Sequence, residues 1–312
     1  MIRYFKKPKA YVVFSSEYLI GVSTYGSHHT FDIFKYKRIR DKLIAQKLLK
    51  AKNILYPKPC EYSDIKKIHS AIYIRKIQDP IYVNQALKIE INTIWDNSVL
   101  EYYKAVCGGT IHAAFKAIEL NKPIFNLGGG FHHAQPEKAE GFCLLNDIAI
   151  AVKRVQEETK IKRVLIVDLD YHQGNGNTLI FKNDANVFTF SIHADKWIEE
   201  EAVSNLDLLV ESGISEKKYM KTVEEKLDLI LEQFKPEFIF YVAGSDPYEL
   251  DELADMNISR EMMLKRNVYI LQIASKLNVP VVILPGGGYG EKSWKIYYDF
   301  ISTAMKGNKQ YV

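Results

Sequence analysis

Three cysteines in 312 residues, Cys60, Cys107 and Cys143, are too few, too scattered and odd in number for a disulfide framework. No two of them form a C-x-x-C metal knuckle. A reducing compartment is expected, and the chain is read as cytoplasmic. Long apolar runs are missing too: nothing approaches the roughly 18 residues that cross a bilayer. The opening MIRYFKKPKAYVVFSSEYLIGV turns apolar only briefly, because Lys9, Ser15, Ser16 and Glu17 interrupt it, so no signal peptide is expected. With no internal repeat, low-complexity tract or Pro/Gly/Ser linker, residues 1–312 read as a single domain. The net charge of +4 is too mild to predict a nucleic-acid partner.

What is present is an ordinary globular composition, 47% hydrophobic and 26% charged. Short apolar runs at Tyr11 to Phe14, Pro123 to Leu127, Arg163 to Val167, Asn186 to Phe190, Glu237 to Ala243 and Val279 to Leu284 read as buried strands. Helical patterns cover Phe34 to Lys52, Asn97 to Leu120, Leu144 to Thr159, Glu216 to Phe234, Arg260 to Leu277 and Lys292 to Lys306. Ser215, Ser259 and Ser293 stand at N-cap positions. Strand and helix alternate from about residue 120, which predicts an α/β protein with a mostly parallel sheet and helices on both faces. The first 120 residues read as mostly helical and are expected to wrap or cap the sheet.

Five of the strands run straight into polar or glycine-rich turns: GGGFHHA (128–134), DLDYHQGNG (168–176), SIHA (191–194), AGSD (243–246) and PGGGY (285–289). In an open parallel sheet such turns share one edge, where ligands bind. The glycines lack both the dinucleotide spacing and the phosphate-loop Lys-Ser/Thr, so nucleotide binding is disfavoured. Asp170 and His172, two apart, project to one side of an extended segment. With Asp246 from the next turn they make a candidate zinc set with a coordination position to spare.

Together these turns, with GFCLLNDIAIA (141–151) and GGTIHAA (108–114), resemble the zinc-dependent histone deacetylases and their bacterial relatives. The resemblance implies the arginase/deacetylase fold, a three-layer α/β/α sandwich. Gln173 and Asn175, where class I members carry His and Asp, resemble class IV, the histone deacetylase 11-like group, as do GGGFHH and HHTFD at His28 to Asp32.

The resemblance also implies roles. Zinc would sit on Asp170, His172 and Asp246; His133 would be the general base, and His132, oriented by Asp168, its electrostatic partner. Tyr289 would donate to the developing oxyanion, with the Gly286–Gly288 run giving it mobility. Phe142 would form one wall of an acyl-lysine tunnel, with Gly141, Gly287 and Gly288 beside it. Asp168, Ser191 and Ile192, with the carbonyls of Asp170 and His172, would hold a structural monovalent cation, K⁺ by analogy.

Two departures stand out. Asn175 is an amide where class I has a carboxylate, so a lower pKa is expected for His133. The family's aromatic-Pro-Gly element is replaced by HADKWIEEEAVSNLD from His193, leaving Trp197 as a candidate second wall, with an ordinary core or surface tryptophan as the alternative. His28 and His29 are candidates for the entrance, while His69 and His112 fall on helical patterns and are read as structural. Glu199, Glu200, Glu201 and Asp207 form either an acidic rim for a basic protein tail or a solvated charge run.

The leading expectation is a hydrolase that removes acetyl or long-chain acyl groups from lysine side chains of a protein or peptide. Deacetylation of acetylpolyamines or other acylated small amines is the alternative on the same fold. Remoter readings are a silent acyl-lysine-binding relative and a two-manganese, arginase-like hydrolase.

Overall fold

The computed structural model describes residues 10–19, 31–87 and 98–307. Among them an eight-stranded sheet runs in the order β2-β1-β3-β8-β7-β4-β5-β6. Its strands are β1 (Tyr11–Val13), β2 (Ile54–Leu55), β3 (Ile124–Asn126), β4 (Val164–Asp168), β5 (Val187–His193), β6 (Asn205–Leu209), β7 (Phe238–Val242) and β8 (Val281–Leu284). Every pairing between them is parallel. The central strands are apolar without alternation, VLIVD in β4 and FIFYV in β7, and buried along their whole length. That is the signature of a sheet covered on both faces.

The helices are α1 (Lys35–Ala45), α2 (Tyr62–Ile65), α3 (Ala71–Lys76), α4 (Pro80–Leu87), α5 (Ser98–Leu120), α6 (Asp147–Glu158), α7 (Asn175–Phe181), α8 (Glu216–Phe234), α9 (Arg260–Leu277) and α10 (Ser293–Lys306). They pack in two groups: α5, α6 and α7 in series, and α1, α10, α9 and α8 in series. This is the α/β arrangement expected of the arginase/deacetylase fold.

The first 120 residues do more than wrap the sheet. They supply β1, an interior strand between β2 and β3. Helix α1 also stops at Ala45 instead of reaching Lys52. Lys47 takes φ 59°, and Leu48 N–H returns to the Leu43 carbonyl, a Schellman-type end made without glycine. β2 and β6 were not legible as apolar runs. Both are edge strands, and β6 (NLDLL) is only partly buried.

The N-cap serines hold at Ser215 and Ser259, whose hydroxyls accept from Lys218 and Met262 N–H. At α10 the cap is Lys292, and Ser293 is the first helical residue, its hydroxyl donating back to the Gly290 carbonyl (3.1 Å). His69 is structural: it is buried, its Nε2 accepting from Asn146 N–H (3.1 Å). Half-buried His112 lies on α5. No described helix is long and apolar enough to cross a membrane.

Candidate active site

Because the strands are parallel, the turns after β3, β4, β5, β7 and β8 share the carboxyl edge of the sheet. Two of the glycine-rich turns interlock. Gly286 N–H donates to the Gly129 carbonyl (3.2 Å), and a side chain at Gly130, itself at φ 86°, would meet Gly286 N at 2.7 Å. Asp147, at the start of α6, accepts from Phe131 N–H (2.8 Å), Gly130 N–H (3.2 Å) and the Thr110 hydroxyl (2.5 Å). These bonds fix the GGGFHH turn and aim His132 and His133.

Asp170, His172 and Asp246 converge, their ligand atoms within 4.8 Å of one another. Each carboxylate is tethered by its outer oxygen. Asp170 Oδ2 accepts from Gly287 N–H (2.7 Å) and Asp246 Oδ1 from Tyr171 N–H (3.0 Å). The other two oxygens face His172 Nδ1, at 3.1 Å for Asp170 Oδ1 and 3.0 Å for Asp246 Oδ2. Both aspartates are fully buried. Burial and the Asp170 charge push Asp246 up to about 7. For His172, burial acts downward, but its bonds to the two carboxylates outweigh it and hold the imidazole well above its usual value. Two buried carboxylates and one imidazole aimed at one point are poorly matched to a metal-free interior and well matched to a divalent cation.

His132 and His133 lie side by side with ring centres 3.9 Å apart. His132 Nδ1 bonds to Asp168 Oδ2 and His133 Nδ1 to Asn175 Oδ1, both at 2.7 Å. The two rings are driven in opposite directions. Burial acts to lower His132, but the Asp168 and Asp170 charges outweigh it and hold it at about 9. Burial, reinforced by His132 and His172, drives His133 well below the usual histidine range; the bond to Asn175 opposes this only in part.

Tyr289 is buried, and burial with the Asp246 and Asp170 charges raises its hydroxyl well above the usual value. Its ring lies between Phe31 (centres 6.2 Å apart) and Phe142 (6.5 Å). Phe142 follows Gly141 in a two-residue turn closed by paired backbone bonds between Glu140 and Cys143. Both central residues have positive φ, 54° and 61°, as in a type I′ turn. That is strained for phenylalanine and projects it over the cleft.

The cleft encloses about 550 Å³ including its open mouth. Its lining includes His132, His133, Asp170, Phe142, Gly141, Gly287 and Tyr289, together with the apolar side chains Ile33, Tyr102 and Phe131.

Comparison with known proteins decides the family. The model of the histone deacetylase domain matches residues 29–303. The chain belongs to the histone deacetylase family. It is 30% identical to histone deacetylase 2 of Arabidopsis thaliana, over 97% of this chain and 81% of that one. It is 30% identical to an uncharacterised Picosynechococcus protein over 92% of this chain and 94% of that one. It is 26% identical to the acetoin utilization protein AcuC of Staphylococcus aureus, over 86% and 74%.

Several family expectations change on inspection of the site. Gly288 is not among the cleft-lining residues: a side chain there would run into Ser245, and its carbonyl accepts from buried Lys35 Nζ (2.8 Å). The next N–H, of Tyr289, donates to Asp251 Oδ2 (2.7 Å). One peptide is thus bonded at both its carbonyl and its N–H. Trp197 is neither core nor surface filler. Its ring stacks on His133, held by Trp197 N–H to Gln173 Oε1 (2.9 Å) and its indole N–H to Asp195 (2.7 Å).

Ser191 pairs with Asp168 across β4 and β5, but its hydroxyl bonds to His193 Nδ1 (2.9 Å). In the acidic run, Glu199 pairs with Lys196 (2.6 Å) and Glu200 with Lys182 (3.1 Å). Asp207 accepts from Gln173 Nε2 (3.0 Å). His28 and His29 lie outside the described residues. Lys35, Asp251, Asp147 and Glu140 were not legible as site residues, because their partners are distant in sequence.

Proposed function

We propose that this chain is a zinc-dependent lysine deacylase, with the metal on Asp170, His172 and Asp246. The observation that carries the reading is the division of labour in the histidine pair. A carboxylate stands behind His132 and an amide behind His133, and both rings border the cleft beside Asp170. Bound there, zinc supplies Lewis acidity to the amide carbonyl.

The chain's own residues carry the proton transfers. His133, kept neutral, takes the proton from the attacking water at Nε2 and returns it to the leaving amine. His132, bonded at Nδ1 to the Asp168 carboxylate, stabilises charge without exchanging that proton. The Tyr289 hydroxyl donates to the carbonyl oxygen as it becomes anionic. Phe142 and Tyr289 flank the aliphatic stem. The apolar side chains Ile33, Tyr102 and Phe131 in the cleft lining support acyl groups longer than acetyl alongside acetyl itself.

Gln173 and Asn175 support the class IV assignment. A monovalent cation at Asp168, Ser191 and Ile192 with the Asp170 and His172 carbonyls rests on the family resemblance alone. The test is a side-by-side assay of acetyl-lysine peptide, myristoyl-lysine peptide and acetylated polyamine with the zinc-loaded protein. The reading expects the highest kcat/KM on an acyl-lysine peptide. Preference for the polyamine transfers the site to small amines, and no turnover on any of them with zinc bound rejects the enzyme reading.

A further inference from the structure

The carboxylate missing from position 175 reappears one residue further out. Asn175 is fully buried and bonded on both sides: its Oδ1 meets His133 Nδ1 at 2.7 Å, and its Nδ2 donates to Glu140 Oε2 at 2.8 Å. The Glu140 carboxylate is also reached by Gln135 Nε2 (2.8 Å) and by Lys138 Nζ. Lys138 Nζ can only donate, and an ionised carboxylate offers acceptor oxygens alone, so Glu140 accepts from its neighbours.

An acceptor-only neighbour leaves the Asn175 amide one orientation. Its NH2 must face Glu140, so its oxygen must face the imidazole. An oxygen facing Nδ1 requires the neutral ring to carry its proton there, which leaves the Nε2 lone pair free. We propose that Glu140 is a positioning residue that acts through Asn175 to place the His133 proton on Nδ1.

The inference deepens, and rests on, the reading of His133 as the general base. Without Glu140 the amide is free to turn over and present its NH2 to Nδ1. The ring then holds its proton on Nε2, the nitrogen that has to be empty for the reaction. Glu140 also opens the turn that carries Gly141 and Phe142, so the device that orients the base and the wall of the cleft share one segment.

The test uses the full chain, labelled with ¹⁵N, and follows the imidazole nitrogens of His133 together with kinetics and zinc content. Wild type is expected to show the Nδ1–H form alone. Glu140→Ala is expected to show a mixture with the Nε2–H form, and kcat lower by about 10–100-fold, the range that loss of an orienting partner costs. KM and bound zinc are expected to stay the same.

A second comparison does not depend on Glu140→Ala folding. Asn175→Asp places two carboxylates face to face and is expected to lower kcat. Adding Glu140→Gln to it is expected to restore activity, because glutamine donates to the new aspartate, which accepts from His133 directly. Glu140→Gln in the Asn175 background is expected to be neutral or mildly harmful. A His133 that keeps the Nδ1–H form alone in Glu140→Ala overturns the proposal, as does an effect of Glu140→Gln that is the same in both backgrounds. Wild type that turns over no acyl-lysine while Glu140→Ala shifts the tautomer rejects the deacylase reading and leaves the positioning role intact.

Discussion

The indole of Trp197 lies flat on the imidazole of His133, ring centres 3.9 Å apart and planes 8° from parallel. The stack closes one face of the ring whose Nδ1 edge is already held by Asn175. Gly141 leaves room for it, since a side chain there would meet His133 Cδ2 at 2.2 Å and the Trp197 ring at 2.7 Å. Gln173 ties this arrangement to the turn that carries the candidate metal ligand His172. Its side-chain oxygen accepts from Trp197 and Ile198 N–H (2.9 Å each), and its backbone follows His172.

Trp197→Ala removes a stacked pair of a kind worth about 0.5–1.5 kcal/mol beyond its burial. The expected outcome is a fall in kcat/KM of about tenfold or less with zinc content unchanged. Trp197→Phe keeps a ring on His133 and is expected to retain most of the activity. Steady-state kinetics on an acyl-lysine peptide, with metal analysis of each variant, checks both.

Tyr289→Phe removes the hydroxyl and keeps the ring between Phe31 and Phe142. A donor to a developing oxyanion is worth on the order of 10²–10³ in rate. The expected result is a loss of that size in kcat with KM little changed, which separates a role in the transition state from one in binding.

Lys35 links stability to function. Burial lowers its ammonium to about 8, although Asp246, Asp251 and Asp170 pull it upward. As pH falls from 10.5 to about 8, the unfolded chain takes up a proton that the folded chain resists. The native state therefore loses stability through that window, by about 3 kcal/mol in all. Lys35→Met is expected to be more stable than wild type at pH 7 by up to about that amount. It is also expected to be slower, because the Gly288 carbonyl loses its anchor next to Tyr289. Urea denaturation and kcat on the same preparation check the two halves.

His69 predicts the acid limb of stability. Burial lowers it from 6.5 to about 4, so in the folded chain it stays neutral over that range while the unfolded chain binds a proton. Stability is present above pH 6.5 and is lost as pH falls towards 4, by about 3 kcal/mol from this residue. His69→Asn is expected to be less stable than wild type at pH 7 and to lose less between pH 6.5 and 4, as measured by urea unfolding at a series of pH values.

Much of the site could be read from the chain because its residues follow buried strands. β3, β4, β7 and β8 announce themselves as apolar runs, and a parallel sheet leaves one edge for the turns that end them. The edge strands β2 and β6 gave no such signal, being short or only partly buried. What supports the site was harder to read. Glu140 sits in QPEKAEG among surface charges, and only its contact with Asn175, 35 residues away, makes it informative. Lys35 reaches Gly288 across 253 residues, and a lysine buried in a helix has no sequence signature. Trp197 stands in a stretch unlike the family's usual element, so its place beside His133 depends on the hydrogen bonds of Gln173.

The most direct test of the central claim is the rate of acyl-lysine peptide hydrolysis by the protein before and after the metal is stripped, then with zinc added stepwise. The account predicts that hydrolysis disappears with the metal and returns fully at one zinc per chain. It predicts no return in Asp246→Asn, where the ligand set is broken. A rate unaffected by stripping, or a protein that holds one zinc per chain and hydrolyses no acyl-lysine, would contradict it.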